Sequence, residues 1–163
     1  VSKPEDFEFI EDVFVACKKF QDAGYKIVVI TNQSGIGRGY YTEQDFRLLT
    51  NWMKQEFKNH QVEISAVYFC PHHPQKALPE YLIDCSCRKP KPGMLLQAIK
   101  QHQISAKDSI MVGDRNSDML AAKAANIGKK FLVTSGQQLT ADDKQLADKV
   151  FNSLAEVAGL LLD

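Results

Sequence analysis

Lys26-Ile27-Val28-Val29-Ile30-Thr31-Asn32-Gln33-Ser34-Gly35-Ile36-Gly37-Arg38-Gly39 is the stretch on which the fold turns. Its first five residues are nearly all apolar and β-branched, the composition of a strand covered on both faces in a parallel sheet. The rest is polar and glycine-rich. A buried strand that empties into a polar loop opens a strand–loop–helix unit. The next apolar residues, Phe46, Leu49, Met53 and Phe57, mark that helix, behind Thr42 and Asp45 as a capping box. Upstream, Phe9, Ile10, Val13, Phe14, Cys17 and Phe20 repeat at helical spacing over about 8–23, and Gly24 ends the run.

Downstream the alternation continues. Ile64 to Phe69 reads as a strand, and Cys70 to Pro92 as a Pro- and Cys-rich loop. Met94 to Gln101 is helical, and Ser109 to Val112 is a strand that runs into Gly113-Asp114. Met119 to Ala125 is a helix, Phe131 to Val133 a strand, Thr140 to Lys149 polar, and Ser153 to Leu161 a closing helix. Strands alternating with helices predict an α/β fold with a doubly wound, Rossmann-like parallel sheet. Polar loops follow three of the strands, at Thr31, Cys70 and Asp114, on the edge where such sheets bind ligands.

The 163 residues suit one domain, with the Pro- and Cys-rich loop at 70–92 inside it. Lys plus Arg equals Asp plus Glu, which argues against a nucleic-acid or membrane-surface binder and leaves room for a local pocket for a small anion. No apolar run is long enough to span a bilayer. The start, Val1 to Asp6, is polar and has no initiator methionine, so the chain is expected to begin inside a longer one. Four cysteines are too few for a disulfide scaffold, and a reducing cytoplasm is the expected compartment.

Three of those cysteines carry a metal pattern. Cys70-Pro71-His72, twelve intervening residues and Cys85-Ser86-Cys87 supply three thiolates and one imidazole, a closed tetrahedral set suited to Zn²⁺. Such a site staples a loop that has little core of its own. His73 could stand in for His72. Cys17 lies on the apolar face of the first helix and reads as core.

Thr31-Asn32-Gln33-Ser34 offers hydroxyls and backbone amides to a phosphoryl group. Arg88-Lys89, directly after the second metal pair, adds cations, alongside Lys91. Asp114 at a strand end is a natural Mg²⁺ ligand and equally a helix N-cap, and the two are compatible. Asp118 is expected to support that loop rather than bind metal. Arg115 could reach a substrate phosphate or pair with Asp118.

These motifs resemble those of the haloacid dehalogenase superfamily. Ile30-Thr31-Asn32-Gln33-Ser34 is similar to its second motif, Lys89 to its third, and Gly113-Asp114 through Asp118 to its acidic fourth. Cys-Pro-His-His-Pro, the spacer and Cys-x-Cys-Arg-Lys-Pro-x-Pro-Gly-Met resemble its histidinol-phosphatase-related, zinc-carrying branch, as does Thr-Asn-Gln-Ser-Gly-Ile-x-Arg-Gly. The resemblance implies a Mg²⁺-dependent phosphatase with a small-molecule sugar bisphosphate as its partner. It would remove the C7 phosphate of a heptose 1,7-bisphosphate through an aspartyl-phosphate, in the ADP-heptose supply to lipopolysaccharide core. Histidinol phosphate as substrate, or an inactive zinc-stapled phosphate-binding module, is the alternative. Thr31 and Lys89 would stabilise the transferring phosphoryl group. Asn32, Gln33, Ser34, Arg88 and Arg115 would bind substrate. Asp114 would hold Mg²⁺, and Cys70, His72, Cys85 and Cys87 would hold Zn²⁺. The relatives' size implies a monomer, and the lipopolysaccharide route implies a Gram-negative cytoplasm.

One motif is missing. The family's Asp-x-Asp, which supplies the nucleophile and the general acid–base, has no counterpart here, since Asp6, Asp12 and Asp22 fall on or near the first helix. It would lie on the family's central strand. The 163 residues are therefore expected to be N-terminally incomplete, to lack that strand and to be inactive alone.

Overall fold

The computed structural model describes residues 11–134 and 146–162. They form two compact units, one running to Cys85 and the other from Ser86 to Leu161. Both are α/β, with helices against parallel strands.

In the first unit, α1 (Glu11–Asp22) is followed by β1 (Ile27–Asn32), the short α2 (Ser34–Gly37), α3 (Glu43–Asn59) and β2 (Ile64–Cys70). Helix α1 ends in a Schellman turn. Gly24 takes φ +99°, its amide donates to Gln21 O at 2.9 Å, and the Tyr25 amide donates to Phe20 O at 3.0 Å. The Phe20 and Tyr25 rings close the turn edge to face at 5.6 Å. Residues 8–10 of the expected helix lie outside the described residues. Phe14, Cys17 and Phe20 face inward, and the Phe14 ring packs against Phe57 of α3 at 4.9 Å. The expected capping box of α3 is complete, with Asp45 N donating to Thr42 Oγ1 at 3.0 Å and Thr42 N to Asp45 Oδ2 at 2.9 Å.

Strand β1 pairs with β2 in parallel, Thr31 opposite Phe69 and Asn32 opposite Cys70. It is half-buried along its length rather than covered on both faces as its composition suggests. Among the described residues its sheet has two strands, and such a sheet shields its strands less than the interior of a wide one. The polar stretch expected as loop from Thr31 also differs. Thr31 and Asn32 complete the strand, and Ser34–Gly37 coil into one helical turn despite two glycines, because backbone and ring contacts hold them there.

The second unit contains α4 (Gly93–Gln101), β3 (Ile110–Gly113), α5 (Asn116–Ala124), β4 (Lys129–Val133), β5 (Lys149–Phe151) and α6 (Leu154–Leu162, all but its last residue in this unit). Its sheet runs β3-β4-β5, all parallel. Met119, Ala121 and Ala122 of α5, Leu132 of β4 and Val157 and Ala158 of α6 form its core. Helix α5 begins at Asn116, before the apolar residues that predicted it from Met119, because its first turn is capped from Asp118. Strand β5 was not expected. Most of the polar stretch before it lies outside the described residues. A Cβ on Gly128 would come 1.8 Å from Lys107 O, so the turn into β4 admits no side chain there.

Candidate phosphoryl and metal sites

The C-terminal end of β1 carries the first group of candidates. Past Asn32 the Gln33 amide donates to the Cys70 carbonyl at 2.7 Å, the last rung between β1 and β2. The chain then turns into α2. The amides of Ile36, Arg38, Gly39 and Tyr40 are consumed by carbonyls of Gln33, Ser34, Ile36 and Gly35. Much of the expected backbone cradle is thus spent inside the loop, which leaves the side chains as the candidate binding groups. Gln33 Nε2 donates to Thr31 Oγ1 at 2.9 Å, and the Tyr41 hydroxyl donates to Gln33 Oε1. Burial raises the Tyr41 pKa, which keeps its proton in place. Thr31 and Gln33 also line a cavity of about 280 Å³, together with Phe46, Leu49 and Met53.

The metal group gathers where β2 ends. Cys70, fully buried, sets its Sγ 3.2 Å from Cys85 Sγ and 3.8 Å from His72 Nδ1. Cys87 is two residues further along the same loop, and the four ligand atoms lie within 4.8 Å of one another. Zinc–ligand bonds of about 2.0–2.3 Å at tetrahedral angles separate ligand atoms by roughly 3.3–3.8 Å. The donor set suits Zn²⁺, and the Cys70–Cys85 and Cys70–His72 separations of 3.2 and 3.8 Å lie close to that range. His73 is turned elsewhere. Its Nδ1 accepts the amides of Gln75 and Lys76, both at 3.0 Å, and the histidine that gathers with the three cysteines is His72.

The metal loop is tied back to the first group. Leu78 N donates to Gly37 O at 2.6 Å. A Cβ on Gly37 would lie 2.4 Å from Pro71 O and 3.1 Å from Tyr81 Cβ. The Tyr81 hydroxyl donates to Glu43 Oε2 at 2.6 Å at the start of α3, and that bond leads the causes raising the tyrosine pKa. A turn of 3₁₀ helix at Pro79–Tyr81 and a bridge between His73 and Leu82 give structure to a stretch expected to be irregular.

In the second unit, Gly93 N donates to Ser86 O at 3.0 Å and Lys91 N to Arg88 O at 2.9 Å, folding Arg88 and Lys89 into a tight turn with a cis Lys89–Pro90 bond. The Lys89 ammonium pairs with Asp118 Oδ1. Asp118 Oδ2 accepts the amides of Asp114 and Arg115, both at 3.2 Å. A Cβ on Gly113 would lie 2.4 Å from that oxygen, so the carboxylate fits only over a glycine. Asp118 supports the loop, as expected. Asp114 is not the N-cap. Arg115 occupies that position, and the acceptor comes from Asp118, which leaves the Asp114 carboxylate outside the cap. Arg115 reaches Asp118 through its main chain, with its side chain exposed.

The structure thus joins Thr31 to Gln33, the four zinc candidates to one another, and Lys89 to Asp118. Thr31 to Ser34 belong to the first unit; Arg88, Lys89, Asp114 and Arg115 belong to the second. Sequence reading missed Tyr41, Glu43 and Tyr81, whose hydroxyl and carboxylate contacts leave no spacing signature. It also missed Asn116, whose Oδ1 is enclosed without a hydrogen-bond partner among the described residues.

Residues 86–157 match the HAD-hydrolase-like family model. The chain is 46% identical over 157 residues to the D-glycero-beta-D-manno-heptose-1,7-bisphosphate 7-phosphatase of Yersinia pestis, covering 96% of this chain and 84% of that one. It is 48% identical over 134 residues to the alpha-anomer enzyme of Photorhabdus laumondii, covering 82% and 73%. The crystal structure of the D,D-heptose 1,7-bisphosphate phosphatase from B. bronchiseptica, complexed with magnesium and phosphate, superposes with a TM-score of 0.80 at 25% identity, covering 99% and 88%.

Proposed function

Since the chain belongs to the D-glycero-D-manno-heptose-1,7-bisphosphate 7-phosphatase family of haloacid dehalogenase-like hydrolases, we propose that it serves hydrolysis of the C7 phosphate of that sugar. One observation carries the reading. A single buried carboxylate, Asp118, holds both the Lys89 cation and the amide of Asp114. That fixes the charge that would stabilise a transferring phosphoryl group relative to a carboxylate suited to Mg²⁺.

Each residue then has a task. Thr31 donates its hydroxyl to a phosphoryl oxygen, and Lys89 neutralises the charge that builds on it. Asn32, Gln33 and Ser34 line the sugar side, and Arg88 and Arg115 bind the substrate's phosphates, Arg115 with a planar fork. Mg²⁺, when bound at Asp114, would offset negative charge on the phosphate oxygens. A zinc ion on Cys70, His72, Cys85 and Cys87 would fix the loop of residues 70–92 within a single phosphatase domain. The reaction transfers phosphorus from the C7 oxygen to a carboxylate and then to water, with a second carboxylate moving the proton. Residues 1–163 contain no Asp-x-Asp to supply that pair. Hydrolysis is therefore expected from a chain that carries this motif and not from these residues alone. The protein would act as a cytoplasmic monomer on a free small molecule, in heptose supply for lipopolysaccharide. No helix among the described residues is long and apolar enough to cross a membrane.

The deciding experiment offers the full-length protein with Mg²⁺ three substrates: both anomers of the heptose bisphosphate, and histidinol phosphate. One equivalent of phosphate from a heptose bisphosphate, with the 1-phosphate retained, is the expected result. Release from histidinol phosphate alone would move the protein to the sister activity. Release from none would leave a zinc-stapled binding module.

A further inference from the structure

We propose that Tyr41 is a positioning residue for Thr31, acting through the Gln33 side chain. The proposal rests on the phosphatase reading above and deepens it. The Tyr41 hydroxyl donates to Gln33 Oε1, and Gln33 Nε2 donates to Thr31 Oγ1 at 2.9 Å. Both ends of the Gln33 amide are therefore occupied inside the loop. That amide aims Thr31 with one N–H and keeps the other for the sugar side.

The direction of this chain matters chemically. A phenol donates a hydrogen bond better than it accepts one, so Tyr41 favours the amide orientation that gives it the carbonyl end. That turns the NH₂ end toward Thr31. Thr31 Oγ1 then receives a proton, and its own hydrogen must point elsewhere. In this structure it reaches the Asn32 carbonyl at 3.3 Å, a long bond readily exchanged for a better acceptor. Thr31 is thereby preset as a donor, the role a phosphoryl oxygen requires. With the amide reversed, Thr31 would donate to Gln33 and turn lone pairs toward the phosphate.

The loop is built to seat the tyrosine. A Cβ on Gly35 would lie 2.5 Å from Tyr41 Cε1 and 3.0 Å from its hydroxyl oxygen, so the ring end rests on bare backbone. The Tyr40 amide donates to Gly35 O at 2.9 Å, which folds the chain back to bring Tyr41 over the loop. The neutral phenol, its pKa raised by burial, keeps the donor available at physiological pH.

The test is steady-state kinetics of the full-length protein on the heptose bisphosphate. Tyr41→Phe keeps the ring and removes only the hydroxyl. It should lower kcat about tenfold while KM stays within about twofold. Gln33→Glu keeps the acceptor for Tyr41 but removes the donor to Thr31, and should lower kcat at least as much. In a Thr31→Val background, Tyr41→Phe should cost nothing further, because both act through one hydroxyl. A Tyr41→Phe protein with the wild-type kcat, or one losing as much in the Thr31→Val background, overturns the proposal while leaving the phosphatase reading intact. A wild-type protein that releases no phosphate refutes that reading and this proposal with it.

Discussion

Lys89 and Asp118 are ion-paired with side chains only 12% and 6% exposed, 29 residues apart in sequence. Asp118 also accepts two backbone amides, so its charge is met from three directions. Asp118→Ala would take this carboxylate from a Lys89 ammonium that has little water to replace it. A loss of about 3–5 kcal/mol in urea-unfolding stability is expected. Full-length protein should lose turnover as well, since Lys89 is no longer aimed. Wild-type stability in Asp118→Ala would show that the pair is not held in solution.

The metal group makes a prediction that needs no substrate. Purified protein should carry about one zinc per chain, and Cys85→Ser should bind far less. Because Cys70 O accepts the Gln33 amide, chelation should loosen that rung, with exchange of the Gln33 and Leu78 amides rising about tenfold. Exchange that ignores the chelator would separate the metal from the phosphoryl loop.

Gly37 is fixed by space. An alanine there drives its Cβ toward Pro71 O, a backbone atom that yields only by moving the metal loop. Gly37→Ala should cost roughly 2 kcal/mol. Gly24→Ala has open room around it but a φ of +99°, so its penalty comes from conformation alone, about 1–2 kcal/mol. Zinc affinity should fall in Gly37→Ala and stay unchanged in Gly24→Ala, measured by competition with a chromogenic chelator.

Burial pushes the Cys17 thiol up from 9.0 to about 11. Its neutral form is favoured in the fold, so this contribution is full below pH 9 and disappears as pH rises through about 11. Cys17→Ala should flatten that alkaline decline relative to wild type. At pH 8, iodoacetamide should leave Cys17 unmodified until the protein unfolds. Rapid alkylation of native Cys17 would place it at the surface.

Local features were legible because their parts are near in sequence. Thr42 and Asp45 announced a capping box, Gly24 announced a helix stop, and Cys-x-His with Cys-x-Cys announced a metal group. Long-range pairings were not legible. Nothing in the spacing of Lys89 and Asp118 says that they meet. Helix α2 escaped because Ser34-Gly35-Ile36-Gly37 has poor helix propensity and is held by Tyr41 and the metal loop. Strand β5 escaped because three residues carry too little alternation to register.

Cys70 offers its sulfur to one neighbour and its carbonyl to another. Mutation rewrites side chains and leaves main-chain carbonyls where they were. Whatever residue replaces Cys70, Gln33 retains an acceptor, so a descendant that sheds this candidate zinc ligand would weaken the grip on the loop without deleting it. The response to metal loss would accordingly be a dimmer rather than a switch, with intermediate settings open to selection.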